Sequence, residues 1–275
     1  MNLTQQQIRE FQTKILNWYR ENKRDLPWRH THDPYRILVS EIMSQQTQIA
    51  RVIPKYEAWI TRFPNLISLA NAANAEVLHY WSGLGYNRRA LYLQKCAKEI
   101  IEKYNGKFPD KEEDLIKLPG IGTYTARAVL SFAFERQVSV IDINVKKVIL
   151  LEILKSSITD HIPDKTIEDI ASEILPPNTA YDWNQALMDY SAAVLKKEKI
   201  PLKKQSPFKN SNRYFRGGIM RLLLKHKKLS MGELQGLLLR EEKKEINISR
   251  LTEILHRLVK DLLIKQDEKT QFYTL

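Results

Sequence analysis

Leu118-Pro119-Gly120-Ile121-Gly122-Thr123-Tyr124-Thr125-Ala126 is the stretch that decides the fold, and Asp142 follows Tyr124 by eighteen positions within Val140-Ile141-Asp142-Ile143-Asn144-Val145. Two glycines bracket one apolar residue between helical segments, so the backbone can turn tightly and aim successive N–H groups outward. The helix runs on from Tyr124 to Phe134. Two readings of the turn follow. It is a phosphate seat, since unpaired N–H groups and the helix dipole both favour an anion, or it is a plain helix-turn-helix corner without a ligand.

Working outward, apolar residues recur at helical spacing almost everywhere, as in Ile8, Phe11, Ile15, Trp18 and Tyr19, and the fold class is mainly α. Thr4 and Gln7 form a capping box, and Pro27 ends the first helix. Asp33 caps the next helix with Pro34 at its first position, and this helix carries Ser40 to Gln48. Glu41 lies in it between apolar neighbours, at the surface or in a pocket. Gln45, Gln46, Thr47 and Gln48 beyond it crowd polar groups into what reads as a binding edge. Helices then span about 52–63, 66–70 and 75–81. Trp81-Ser82-Gly83-Leu84-Gly85-Tyr86-Asn87-Arg88-Arg89 is a second two-glycine turn, tipped by Leu84 and Tyr86. An exposed Leu and Tyr beside arginines suit insertion into stacked bases, whereas a turn tucked into the core is the competing reading. Helices follow at about 88–104, 145–154, 164–174 and 183–196.

The 275 residues carry 44 Lys and Arg against 32 Asp and Glu, a net charge of +12 that points to a polyanion such as nucleic acid. The single cysteine, Cys96, excludes an internal disulfide framework and a thiolate metal cluster. Residues Met1 to Gln6 show no basic and apolar leader, and no apolar run approaches membrane-spanning length, so a cytoplasmic, nucleoid-associated monomer is expected. Residues 196–209 hold six lysines and two prolines and read as a basic linker. Beyond it, helices at about 214–226, 229–239 and 247–263 precede a terminal hairpin around Asp267-Glu268-Lys269-Thr270. Three helices and a hairpin look like a winged helix over 210–275. From Pro207 onward 15 basic and 8 acidic residues give +7, so this is the more basic part. Gripping DNA and docking a partner protein are both open to it.

With these stretches in hand, residues 20–195 resemble a helix-hairpin-helix DNA glycosylase, most closely the MutY-type adenine glycosylases, which implies a glycosylase domain of two helical lobes over 1–195. The resemblance rests on five ordered blocks: Arg24 to Arg29 with Asp33-Pro34-Tyr35, Ser40 to Gln48, Gly83 to Arg89, Leu118 to Ala128, and Asp142 to Val148. It implies that Glu41 protonates the flipped base and that Asp142 stabilises the sugar cation, oriented by Asn144. Cleaving an N-glycosidic bond asks for such a pair of carboxylates. Tyr124 stands where bifunctional relatives carry a Schiff-base lysine, so a monofunctional enzyme without strong lyase activity is expected. The resemblance further implies a base pocket of Arg24, Trp28, Arg29, Ser44 and Asp189. Duplex DNA would meet Gln46, Thr47, Leu84, Tyr86, Arg88 and the hairpin residues Gly120, Gly122, Thr123 and Thr125.

The chain departs from the family pattern in four places. The iron–sulfur cysteines are replaced, with Leu195, Leu202 and Gln205 at the first three positions, so no cofactor is expected. A Nudix-like C-terminal domain is missing, which shifts recognition of 8-oxoguanine to Gln46, Thr47, Tyr86 and the winged helix. Ser44 stands for the usual Leu, and Ile143 for the usual Gly. The expected reaction is excision of a mismatched base, adenine first. Thymine or uracil excision by a clusterless mismatch glycosylase, and a catalytically inactive winged-helix DNA-binding protein, are the alternatives.

Overall fold

The computed structural model describes residues 3–198, 200 and 206–275. The expected linker therefore lies partly outside the described residues, as do Leu202 and Gln205. The chain divides into two compact units, one joining Met1–Gln45 to Glu102–Lys203 and the other joining Gln46–Ile101 to Lys204–Leu275.

The first unit is a bundle of helices α1 (Gln5–Asn22), α2 (Pro34–Ser44), α7 (Glu112–Leu115), α8 (Thr123–Phe132), α9 (Ile143–Val148), α10 (Asp164–Glu173) and α11 (Ala180–Ala193). The Thr4 hydroxyl accepts from the Gln7 backbone while the Gln7 side chain accepts from the Thr4 backbone, which completes the capping box. Asp33 caps α2 by accepting from the Tyr35 N–H at 2.8 Å. The core gathers Ile8, Phe11, Ile15 and Tyr19 of α1 with Trp183, Ala186, Leu187 and Tyr190 of α11, and Val145, Val148 and Ile149 close it from α9 and the turn that follows. Phe11 meets Trp183 edge to face at 5.8 Å. In this unit α2 and α7 both pack on α8.

Several boundaries differ from expectation, α11 for one running over Ala180–Ala193 rather than 183–196, and three have a plain cause. α1 ends at Asn22, and Pro27 instead opens a short 3-10 turn over Pro27–Arg29, since the polar run Arg20 to Lys23 offers nothing to bury. α2 stops at Ser44: Gln45 turns to extended ψ 115° and Gln46 to left-handed φ 52°, so Gln45 to Gln48 form a loop rather than helix. No apolar residue in Ser44 to Gln48 continues the buried face of α2. After α9 the chain widens into a π-type turn, Ile149–Ile153, where the Leu154 N–H reaches back five residues to Ile149 at 2.9 Å.

The second unit holds α3 (Ile49–Arg62), α4 (Leu66–Ala70), α5 (Asn74–Trp81) and α6 (Arg88–Tyr104), then α12 (Asn212–His226), α13 (Met231–Arg240) and α14 (Ile248–Lys260). Trp59 packs on Phe63 at 4.9 Å and on Trp81 at 5.5 Å, joining α3 to α5. The C-terminal helices pack mutually and carry a three-stranded antiparallel sheet of β1 (Lys228–Leu229), β2 (Lys265–Gln266) and β3 (Tyr273–Thr274), in the order β1-β3-β2. The hairpin stands where expected, and its turn is held by Asp267 accepting from the Thr270 N–H at 2.8 Å. β1 is an addition: its two residues lie between left-handed Lys227 and Ser230, the cap of α13, and register Leu229 opposite Tyr273. Two residues are too few to show a strand pattern.

Candidate active site

The second residue of α8, Tyr124, points its hydroxyl at α2 and donates to Glu41 Oε2 at 2.8 Å. Burial pushes the Glu41 carboxyl up to about 7, the Tyr124 hydrogen bond and the Arg29 charge pull it down, and the Asp142 charge adds to the rise. A carboxyl that titrates near neutrality is suited to giving up a proton at pH 7. Tyr124 itself is pushed well above its ordinary range, first by burial and then by the charges of Glu41 and Asp142, so it stays a phenol.

Asp142 caps α9. Its Oδ1 accepts from the N–H groups of Asn144 and Val145, both at 2.8 Å, and its Oδ2 from the Asn144 side-chain amide at 2.7 Å. Burial raises its pKa, and these donors act in the opposite sense by favouring the ionised form. Asn144 thus holds Asp142 through both backbone and side chain.

Three of the expected base-pocket residues meet around Asp189. Arg29 clamps this 1 %-exposed carboxylate with two bonds of 2.7 and 2.8 Å, and Arg24 adds its Nε at 2.6 Å and its backbone N–H at 3.0 Å. Each oxygen thereby accepts twice, which fills the carboxylate. Asp189 thus braces Arg24 and Arg29. Trp28 in the 3-10 turn and Ser44 at the end of α2 are half-buried.

In the hairpin, Gly120 adopts φ +80°, a conformation that an L side chain resists. Gly122 begins α8 with no side-chain cap, and Thr123 is exposed beside it. Thr125 is buried and its hydroxyl faces the Gln45 amide at 3.5 Å, so only its backbone is left for a ligand.

In the second unit Gln46 is exposed, and Tyr86 is 48 % exposed with φ +47°. Leu84, expected at the tip beside Tyr86, is 4 % exposed and belongs to the core, and its N–H turns back to the Trp81 carbonyl at 3.1 Å. Arg88 stacks on Tyr92, donates to its hydroxyl, and pairs with Asp261 at 3.5 Å. Thr47 approaches Arg89 at 3.4 Å.

Two residues escaped the sequence reading. Asn184 of α11 is buried, donates to Ser131 Oγ and to the carbonyls of Val138 and Ala180, and accepts from the Val140 N–H at 2.9 Å. One amide thus ties α8 and α11 to the segment that delivers Asp142. Its neighbour Gln185 is 4 % exposed, and its Oε1 has no hydrogen-bond partner among the described residues. Consecutive amides inside a stretch as apolar as Trp183 to Leu187 were the available signal. Among the described residues no group of three His, Cys, Asp or Glu side chains is placed to hold a metal ion, and no helix is long and apolar enough to cross a membrane.

A family model described as HhH-GPD superfamily base excision DNA repair protein matches residues 39–177. The adenine DNA glycosylase of Mycolicibacterium smegmatis is 42 % identical over 184 residues, covering 66 % of this chain and 62 % of that protein. The adenine DNA glycosylase of Buchnera aphidicola is 40 % identical over 185 residues, covering 67 % of this chain and 52 % of that one. The matched region thus spans just over half to three fifths of the length of these curated relatives. Among solved structures, a thermostable thymine-DNA glycosylase superposes with a TM-score of 0.63 at 28 % identity, over 70 % of this chain and 89 % of its own.

Proposed function

We propose, from the premise that this chain belongs to the HhH-GPD superfamily of base excision DNA repair proteins, that it is a monofunctional DNA glycosylase excising a mismatched base, adenine first, from duplex DNA. The observation that carries the reading is Glu41, a carboxyl lifted to about 7 with Tyr124 donating to it and the charge of Asp142 acting on it. Glu41 gives its proton to a ring nitrogen of the flipped base, so the base leaves neutral. Asp142 faces the oxocarbenium-like sugar as the bond breaks, and water then takes the anomeric carbon. Tyr124 has no amine with which to form a Schiff base, so the backbone is left uncut.

The remaining assignments follow from this reading. Residues 1–195 serve as the glycosylase domain and 210–275 as a winged helix. The Gly120 to Thr125 backbone holds a phosphate, and Tyr86 wedges beside the vacated position while Gln46 and Thr47 meet the opposite base. The enzyme works as a monomer at the nucleoid. An iron–sulfur cluster does not fit: the chain has one cysteine, Cys96, buried in α6 with its thiol pushed up to about 12. A second reading, thymine or uracil excision, is favoured by the likeness to the thymine-DNA glycosylase and by Ser44, whose hydroxyl offers a base a donor and an acceptor.

Duplexes bearing A, T, U or hypoxanthine opposite G, 8-oxoguanine or C, treated with alkali after incubation, test these assignments. Adenine release that disappears in Glu41→Gln and Asp142→Asn is the expected result. Release of T or U instead installs the second reading, and normal excision by both variants refutes the mechanism. Efficient borohydride trapping of a lysine-linked DNA adduct would refute the monofunctional assignment.

A further inference from the structure

The loop carrying Tyr86 turns on left-handed backbone, which Gly83 and Gly85 adopt freely and Tyr86 does not. Gly83, Gly85 and Tyr86 adopt φ of +96°, +76° and +47°, three left-handed residues out of four, and the tyrosine does so against the clash of its own Cβ. Something outside the loop must hold it. The Trp81 indole supplies one bond, donating to the Gly85 carbonyl at 3.0 Å.

Arg89 supplies the rest. Its backbone N–H donates to the Tyr86 carbonyl at 2.9 Å. One terminal nitrogen reaches the carbonyls of Gly85 at 3.3 Å and Leu84 at 3.4 Å, and the Thr47 hydroxyl at 3.4 Å. The guanidinium carbon lies 5.3 Å from the Trp81 ring centre and 5.5 Å from that of Tyr86. Each hydrogen bond is long and weak by itself. Beside them the guanidinium offers what an ammonium lacks, a flat face for each ring. Burial lowers the Arg89 pKa to about 10, and the Tyr86 hydroxyl acts to raise it. Arg88, one position earlier, is turned to Tyr92 and Asp261 instead.

We propose that Arg89 is a positioning residue that locks the Tyr86 wedge and the Thr47 loop into one preformed unit, so that wedge insertion and contact with the opposite base occur as a single event. The proposal rests on the glycosylase reading, which gives Tyr86 and Thr47 those roles, and Arg89 itself acts only through them. Without the lock, both side chains must be ordered at the moment of binding, which weakens affinity about tenfold.

The test uses the full chain and a duplex with 2-aminopurine next to an A·8-oxoguanine mismatch, whose fluorescence rises when the neighbouring stack opens. R89K, R89M, Y86A and the double variant R89M/Y86A are compared by fluorescence rise, duplex affinity, thermal unfolding and the pH profile of single-turnover excision. R89M and R89K are both expected to lose most of the fluorescence rise and about tenfold in affinity. R89M should add less than about twofold to Y86A, because its effect passes through that ring. The alkaline limb set by Glu41 should stay where it is. Wild-type behaviour of R89K, multiplying effects in the double variant, or a moved alkaline limb would each overturn the proposal. Should R89M fail to fold, R89K with its retained charge and length decides the matter. If the wild-type protein excises no base at all, the glycosylase reading falls, while fluorescence and affinity still report whether Arg89 governs insertion.

Discussion

Replacing Glu41 by Gln should make the protein more stable at alkaline pH and leave it unchanged in acid. In the fold the carboxyl binds its proton up to about pH 7, whereas its ordinary value is 4.5. Below 4.5 both folded and unfolded chains hold the proton, and the residue is neutral to stability. Between 4.5 and 7 only the folded chain holds it, so stability falls as pH rises and levels off above 7. At about 1.4 kcal/mol for each tenfold change in proton affinity, the full loss is about 3 kcal/mol. A glutamine escapes this loss, and its carbonyl can still accept from Tyr124. Urea unfolding of wild type and E41Q at intervals from pH 4 to 8.5 reads the difference directly, since all other titrating groups are common to both chains. The gap should open from near zero to about 3 kcal/mol with a midpoint between the two pKa values. Parallel curves, or a gap that opens toward acid, would refute the claim that burial stores a proton on Glu41.

Tyr124→Phe removes the hydrogen bond that favours ionised Glu41, so the alkaline limb of single-turnover excision should move to higher pH; an unmoved or lowered limb would exclude the contact as a determinant. Asp189→Asn strips the charge from a buried clamp and leaves Arg24 and Arg29 underpaired, at a cost of about 3 kcal/mol in urea unfolding, and a loss below 1 kcal/mol would mean that solvent already satisfies both guanidinium groups. Gly120→Ala forces a side chain into φ +80°; it should cost about 1 kcal/mol and weaken duplex binding, while the E41Q stability gap persists in that background. Full duplex affinity in Gly120→Ala would remove the hairpin from the list of phosphate contacts.

What could be read from the sequence was what the chain decides locally. A capping box at Thr4 and an Asx cap at Asp33 use neighbours two or three residues away, and both formed as read. The end of α2 was misread because Gln45 to Gln48 are individually acceptable in a helix; what stops the helix is the absence of an apolar face to press on the core. Leu84 and Tyr86 flank the same glycine and look alike on paper, yet one is buried and the other is half exposed, a choice made by the packing around Trp81. The partners of Asp189 lie 160 and 165 positions away, so its clamp by Arg24 and Arg29 could not be read locally. The doublet Arg88-Arg89 offered no means of telling its members apart. The fold sends one outward to Asp261 and the other beneath Tyr86.

The two carboxylates differ less in identity than in what donates to them. Asp142 sits at a helix start, where backbone N–H groups have no helical partner, and collects two of these plus the Asn144 amide. Burial raises the Asp142 pKa, and the three N–H donors offset part of that rise by favouring the negative charge that a residue facing a developing sugar cation needs. Glu41 lies within a helix, where every nearby N–H is already spent, and receives a single phenol. With so little to stabilise its anion, burial dominates and keeps its proton on to about pH 7. Exchanging the residue types, Glu41→Asp with Asp142→Glu, should therefore leave the acid on α2 and the anion at the start of α9, because the helix geometry assigns the protonation states. The exchanged protein would lose rate through altered reach, but removing the carboxyl at 41 should still take away more of its pH-dependent stability than removing the one at 142, where three N–H donors oppose the rise that burial causes.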